Sequence, residues 1–88
     1  MTDHQVCILI PTLNEEDAIA EVIGEFRGMG FDDILVIDGH SCDRTCELAK
    51  AAGARVVVQS GKGKGQALKE AFDLIEAEYI VMIDGDGT

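Results

Sequence analysis

The feature of this sequence that most constrains its fold is an alternation of two hydrophobic patterns. Four short apolar runs rich in Ile and Val recur along the chain, and glycine or proline follows each within three residues. The runs are Val6–Ile10, Ile34–Ile37, Ala54–Val58 and Tyr79–Ile83. Continuous apolar runs of this length are typical of strands in a parallel sheet that is covered on both faces.

The segments between these runs carry apolar residues at helical spacing. They are Ala18, Ile19, Val22, Ile23 and Phe26; Leu48, Ala49 and Ala52; and Ala67, Leu68, Ala71, Phe72 and Ile75. We expect Asn14 and Asp43 to cap the first and second helices, because their side-chain oxygens can accept hydrogen bonds from free backbone N–H groups. Gly28 or Gly30 should end the first helix, and Gly53 the second.

The order β-α-β-α-β-α-β predicts an α/β fold: a doubly wound, mainly parallel, four-stranded sheet of Rossmann-like type. Since crossovers between parallel strands are right-handed, helices should cover both faces of this sheet. Ligands of such sheets bind beyond the carboxyl ends of the strands. The residues to inspect are therefore 11–16, 38–43, 60–65 and 84–88.

Charge and size narrow the functions open to the chain. Seventeen Asp and Glu against seven Lys and Arg give a net charge of −10, which argues against nucleic acids and anionic membrane surfaces as partners. Eighty-eight residues allow one small domain. Three cysteines argue against a disulfide framework, and Cys7 should be a buried apolar side chain. Without a signal peptide, we expect a cytoplasmic location, or the cytoplasmic membrane face for a longer parent protein.

Asp84-Gly85-Asp86 directly follows the fourth apolar run. Two carboxylates on either side of a glycine can converge on a hard divalent cation such as Mg²⁺ or Mn²⁺. A solvated acidic turn is the alternative, and the tripeptide alone does not exclude it.

The segment Ser60–Gly65 holds two lysines between glycines and precedes a predicted helix. Its backbone N–H groups and its positive charge suit an anion such as a phosphate. An exposed loop without a ligand is the alternative. The segment also comes close to a dinucleotide fingerprint, although Gln66 stands where the third glycine belongs. A dinucleotide-binding oxidoreductase module therefore stays open, as does a non-catalytic assembly module that uses the fourth strand.

Taken together, four segments resemble the first half of the family 2 glycosyltransferases, which have the GT-A fold. The matching residues are Ile10–Glu16, Val36–Ser41 with Asp43 and Thr45, Gly63–Gly65 with Ala67, and Asp84–Asp86. Both their order and their spacing agree with the family. Within it, the chain resembles enzymes that transfer a hexose, mannose or glucose, to dolichyl or other polyprenyl phosphates.

The resemblance implies that residues 1–88 are one truncated domain that binds a nucleotide sugar, UDP- or GDP-hexose. The residues implied to border the nucleotide are Pro11, Thr12, Asn14, Glu15, Asp38, Gly63, Lys64 and Gly65, with Asp38 at the base. Asp84 and Asp86 would be the catalytic Asp-x-Asp pair that holds Mg²⁺ or Mn²⁺. A part of the protein beyond Thr88 would bind the lipid-phosphate or other acceptor, so the chain alone should turn over poorly.

One segment departs from the family pattern. The family commonly has Asp-Asp-Gly-Ser after the second strand, whereas this chain has Asp38-Gly39-His40-Ser41 and lacks the second acid. This difference bears on the contact with the base and thus on nucleotide preference. We expect the fourth strand to be an unprotected edge, and we expect a homodimer through that edge.

Overall fold

A computed structural model of the chain describes residues 6–59, 69, 73, 75 and 77–83. In chain order the elements are β1 (Val6–Thr12), α1 (Ile19–Gly28), β2 (Ile34–Asp38), α2 (Thr45–Ala51), β3 (Arg55–Val58) and β4 (Tyr79–Met82). Lys69 and Asp73 are also helical. The four predicted strands are all present. Most of the third predicted helix lies outside the described residues.

The four strands form one sheet in the order β3-β2-β1-β4, and all three neighbouring pairs are parallel. The predicted doubly wound α/β fold is thus confirmed. The chain moves outward from β1 to β3 and then returns to place β4 on the other side of β1. The direction of winding therefore reverses between β1 and β4, which is where open α/β sheets bind their ligands.

The two faces of the sheet carry separate apolar layers. On one face, Ile8, Ile10, Ile34 and Val36 pack with buried residues of α1 and α2. On the other face the buried residues are Cys7, Leu9, Leu35 and Ile37, with Ile75 and Ala77 packed against them. Because alternate residues of each strand serve opposite faces, β1 and β2 read as continuous apolar runs.

Both described helices end as expected at glycines. Gly30 and Gly53 have φ angles of 98° and 103°. After α1, the N–H groups of Gly30 and Phe31 donate to the carbonyls of Arg27 and Phe26. After α2, Gly53 and Ala54 make the equivalent pair of bonds, to Lys50 and Ala49. Each end is a Schellman motif, in which glycine takes the left-handed conformation without steric cost.

Two predicted element boundaries were wrong. Asn14 does not cap α1, because the helix begins at Ile19 after Ala18, which makes no side-chain capping bond. Pro11 does not end β1 but lies within it, opposite Ile37 of β2. The backbone of Leu9, two residues earlier, pairs with β4, and in the described sheet this pairing ends at Leu9 and Met82. The missing N–H of Pro11 therefore falls on the β4 side, where no strand residue lies opposite it in the described part of the chain, and proline is tolerated there.

Within the part of the chain that the structure describes, no helix is long and apolar enough to cross a membrane.

Candidate functional site

Two loops meet at the carboxyl edge of the sheet. Residues 13–18, the first loop, join β1 to α1, and residues 39–44, the second loop, join β2 to α2. The backbone N–H of Asn14 donates to Ser41 Oγ at 2.8 Å. In return, the N–H of Cys42 donates to Asn14 Oδ1, also at 2.8 Å. This reciprocal pair fixes the first loop against the second.

Further hydrogen bonds continue the connection toward α2. The N–H groups of Glu15 and Glu16 donate to Thr45 Oγ1 at 2.8 Å and to Asp43 Oδ2 at 3.3 Å. Asp43 Oδ1 accepts from both the N–H and the hydroxyl of Thr45. The predicted cap was wrong, because Arg44 is the N-cap of α2 and makes no side-chain capping bond. Asp43 instead binds Thr45, the first residue of α2, and also holds the first loop. Asp and Thr side chains commonly make such hydrogen bonds to nearby backbone groups just before a helix begins.

Asp38, at the end of β2, is the centre of this network, and its side chain points into the protein. It is 1% exposed. Its Oδ1 accepts from the hydroxyls of Thr12 at 2.7 Å and Ser41 at 2.6 Å, while Oδ2 accepts from the Ser41 N–H at 2.7 Å. The Cys46 thiol also donates to it. Ser41 in turn accepts from Asn14, so the buried carboxylate orders both loops.

The protonation of these acids follows from their donors. Burial alone would raise the pKa of the Asp38 carboxyl, but the hydrogen bonds from Ser41, Thr12 and Cys46 outweigh it and hold the pKa below its ordinary value. The hydrogen bonds from Thr45 chiefly lower the pKa of Asp43. Both groups are therefore carboxylates at neutral pH, as the network of donors around them requires.

The structure brings four of the predicted site residues together at one edge of the sheet: Thr12, Asn14, Glu15 and Asp38. Thr12 donates to Asp38, and Asn14 exchanges hydrogen bonds with Ser41 and Cys42. The backbone N–H of Glu15 donates to Thr45. The carboxylate of Asp38 offers no exposed surface for the base contact that the resemblance implies. Oδ1 of Asn14 is likewise bonded, to Cys42. Pro11, the fifth residue, is partly buried in β1.

The remaining predicted site residues, Gly63, Lys64, Gly65, Asp84 and Asp86, lie outside the described residues. The residue before the expected metal pair is described: the N–H of Ile83 donates to the Leu9 carbonyl at 3.0 Å, so Ile83 lies beside β1. Among the described residues, no group of three or more His, Cys, Asp or Glu could hold a metal ion.

Two exposed residues stand between the links that join the loops. Leu13 is 56% exposed, and His40 is exposed as well. His40 and Asn14 have positive φ angles, 67° and 54°. From the sequence, neither Leu13 nor His40 was assigned to the site. The spacing of Asp38 and Ser41, three residues apart at a strand end, could have predicted the turn between them.

Comparison with known proteins gives one family. The model of Glycosyl transferase family 2 matches residues 7–88. Glycosyltransferase AglJ of Haloferax volcanii is 60% identical to this chain over 88 residues, and the match covers 99% of this chain. A dolichyl-phosphate hexose transferase of the same organism is 34% identical over 89 residues, again covering 99% of this chain.

Solved structures agree with the sequence relatives. Glucosyl-3-phosphoglycerate synthase of Mycobacterium tuberculosis, in complex with Mn²⁺, UDP-glucose and phosphoglyceric acid, superposes with a TM-score of 0.84 and 32% identity over 92% of this chain. The same enzyme has also been crystallised with Mg²⁺ and UDP. The chain spans 29% of AglJ, 39% of the dolichyl-phosphate hexose transferase and 33% of the synthase.

Proposed function

Because this chain belongs to glycosyl transferase family 2, we propose that residues 1–88 form the nucleotide-sugar-binding unit of a hexosyltransferase. The donor is UDP- or GDP-hexose. Family membership selects this function over the dinucleotide-binding oxidoreductase module and the non-catalytic assembly module that the sequence left open.

The observation that carries the proposal is the pair of interlocked loops at the carboxyl edge of β1 and β2. They stand next to the point where the winding of the sheet reverses, between β1 and β4. A crevice there suits a nucleotide. The neighbouring structure that holds Mn²⁺ and UDP-glucose supports the choice of ligand, because its fold matches this chain with a TM-score of 0.84.

We assign Asp84 and Asp86 to the metal. They follow β4 in the sequence, separated from it by Ile83, and two carboxylates are ligands that Mg²⁺ and Mn²⁺ prefer. When bound, the ion would neutralise charge on the diphosphate and make it a better leaving group. Gly63, Lys64 and Gly65 supply a positive segment for the same diphosphate.

The acceptor we propose is a dolichyl or other polyprenyl phosphate, supported by the name of the 34% identical hexose transferase. An acceptor phosphate oxygen would bond to the anomeric carbon as the bond from that carbon to the nucleoside diphosphate breaks, in line and with inversion. Such an oxygen is already anionic, so the reaction needs no strong base. The groups that bind the acceptor would lie in further protein sequence.

Calorimetric titration with UDP and GDP, each with and without Mn²⁺, tests the donor and the metal together. We expect one nucleotide to bind, and Mn²⁺ to tighten its binding at least tenfold. The double change Asp84→Asn, Asp86→Asn should remove the gain from Mn²⁺. Asp32→Asn, at an exposed acid in the loop before β2, is the matched control and should change nothing. A wild-type chain that binds neither nucleotide would overturn the proposal.

A homodimer through β4 is a second part of the proposal. Tyr79, Ile80, Val81 and Met82 are 62%, 39%, 41% and 51% exposed, although all are apolar or aromatic. In the described sheet, β4 pairs only with β1, and an open apolar edge favours pairing with another chain. Sedimentation should therefore give a dimer that Ile80→Lys converts to monomer. A wild-type chain that stays monomeric at all concentrations would contradict this part alone.

A further inference from the structure

Two hydrogen bonds between the loops bracket one residue of each. The N–H of Gly39 donates to the Thr12 carbonyl at 2.9 Å, and that of Asn14 to Ser41 Oγ at 2.8 Å. Leu13 lies between the bonded positions of the first loop, and His40 between those of the second. Both are exposed, so the two bonds hold these exposed residues at neighbouring positions of the carboxyl edge.

The polar side chains around this pair are already used. The Asp38 carboxylate is buried beneath several donors, and Asn14 Oδ1 and Ser41 Oγ join the loops. Thr12 is 6% exposed and donates to Asp38. By contrast, the ring of His40 makes no hydrogen bond to the described residues. Residues 12–14 and 38–41 are all described, and among their polar side chains only that of His40 is exposed and makes no hydrogen bond to the described residues.

The backbone of the second loop gives an independent indication. His40 has a φ of 67°, a conformation that glycine adopts freely and that a side chain resists, even though His tolerates it better than most residues. The glycine of this segment stands one position earlier. A Cβ at Gly39 would lie 3.4 Å from the Thr12 carbonyl and 3.9 Å from Gln59 Nε2, which is ordinary contact.

The loop therefore carries glycine where none is required and histidine where glycine would suit the backbone better. Strained residues of this kind persist where the side chain serves a function. An imidazole offers a flat face on which a base can stack and two nitrogens that can bond to its edge. Leu13, between the bonded positions of the first loop, adds an exposed apolar side chain.

We propose that His40, with Leu13 next to it, contacts the nucleoside of the donor and sets the preference among bases. This assignment rests on the proposed function, and it gives to His40 the task that the buried Asp38 cannot perform. His40 is thus a specificity-determining residue. Asp38 is a positioning residue that acts through Ser41.

His40→Gly tests the proposal without risking the fold, because glycine relieves the positive φ. We expect an unchanged or higher Tm, and an affinity for the preferred nucleoside diphosphate with Mn²⁺ that falls at least fivefold. The ratio of UDP to GDP affinity should move toward one. Inorganic pyrophosphate with Mn²⁺, which has no nucleoside, should bind the variant and the wild type equally.

Two more variants sharpen the result. His40→Asn tolerates the same backbone conformation and keeps a donor and an acceptor, so it should retain part of the affinity. Met29→Ala, at a residue 63% exposed beyond the end of α1, should behave as wild type. Equal nucleotide affinity in wild type and His40→Gly would overturn the role of His40 alone. Parallel losses for nucleotide and pyrophosphate would also overturn it, since they indicate a structural effect.

If the wild type bound pyrophosphate with Mn²⁺ but neither UDP nor GDP, the proposed function would fail and the nucleoside contact with it.

Discussion

At the scale of single residues, one buried carboxylate determines the shape of the candidate site. Asp38 is charged, 1% exposed and bonded to Thr12 and Ser41. A buried charge costs free energy unless donors surround it, and here they do. The arrangement of both loops thus depends on a residue that need not touch any ligand.

Asp38→Asn should destabilise the chain by about 1–3 kcal/mol, because an amide N–H₂ would face groups that donate and would leave one of them unsatisfied. Denaturant unfolding measures this loss. The change should also weaken nucleotide binding, since the loops lose their register. Asp32→Asn, at an exposed acid, is the control and should stay within about 0.5 kcal/mol of wild type. An equally stable Asp38→Asn variant would contradict the central role of this carboxylate.

The low pKa of Asp38 also predicts how stability depends on pH. A carboxyl whose pKa is lower in the folded state stabilises the fold fully above its unfolded pKa, and this contribution is lost as pH falls through the folded pKa. The free energy of unfolding should therefore fall as pH drops below about 4. The fall should be shallower in Asp38→Asn than in wild type. Identical pH profiles would show that Asp38 does not contribute.

Sequence alone could identify Asp38 but not its orientation. An acid at a strand end is a reasonable ligand for a nucleotide. Thr12, which donates a hydrogen bond to the buried Asp38 carboxylate, is 26 residues away in sequence. The same is true of Ser41, whose bond to Asn14 spans 27 residues. Such contacts arise from the pairing of β1 with β2, which no local pattern encodes.

At the scale of elements, the glycine that follows α2 allows this end of the helix to lie close to α1. A Cβ on Gly53 would come within 3.0 Å of the Arg27 guanidinium, and the φ of Gly53 is 103°. Gly24, within α1, has nothing within 4 Å of its Cβ position. Gly53 is therefore required by its backbone conformation, whereas Gly24 is not.

Gly53→Ala should cost about 1–3 kcal/mol through left-handed strain, with some further cost from the contact with Arg27. Gly24→Ala is the matched control in the helix interior and should add about 0.5–1 kcal/mol of stability. Thermal unfolding of the two variants measures both effects. Equal shifts of Tm in the same direction would show that the Schellman end of α2 is not required.

The elements themselves were largely predictable. The Ile and Val runs locate all four strands to within two residues at each end, because burial on both faces leaves little choice of residue. The start of α1 was missed by four residues, since the side chain of Asn14 binds the second loop instead of the helix N–H groups. Tertiary hydrogen bonding overrode local capping at this point.

At the scale of the whole molecule, the strand order determines where the candidate site lies. The order β3-β2-β1-β4 brings the interlocked loops and Ile83, which follows β4, to the same edge of the sheet. The alternating pattern predicted the fold class, but strand order depends on which apolar faces pack together. The switch point between β1 and β4 could be located only in three dimensions.

The most direct test of the nucleotide and metal site is an NMR titration of the chain with trace Mn²⁺, in the presence of UDP and then of GDP. We predict paramagnetic broadening that is strongest at the amides of Asp84 and Asp86. With Mg²⁺ in place of Mn²⁺, the nucleotide should shift the amides of Leu13 and His40. Broadening that spares Asp84 and Asp86, or nucleotide shifts away from the carboxyl edge of β1 and β2, would contradict the proposed site.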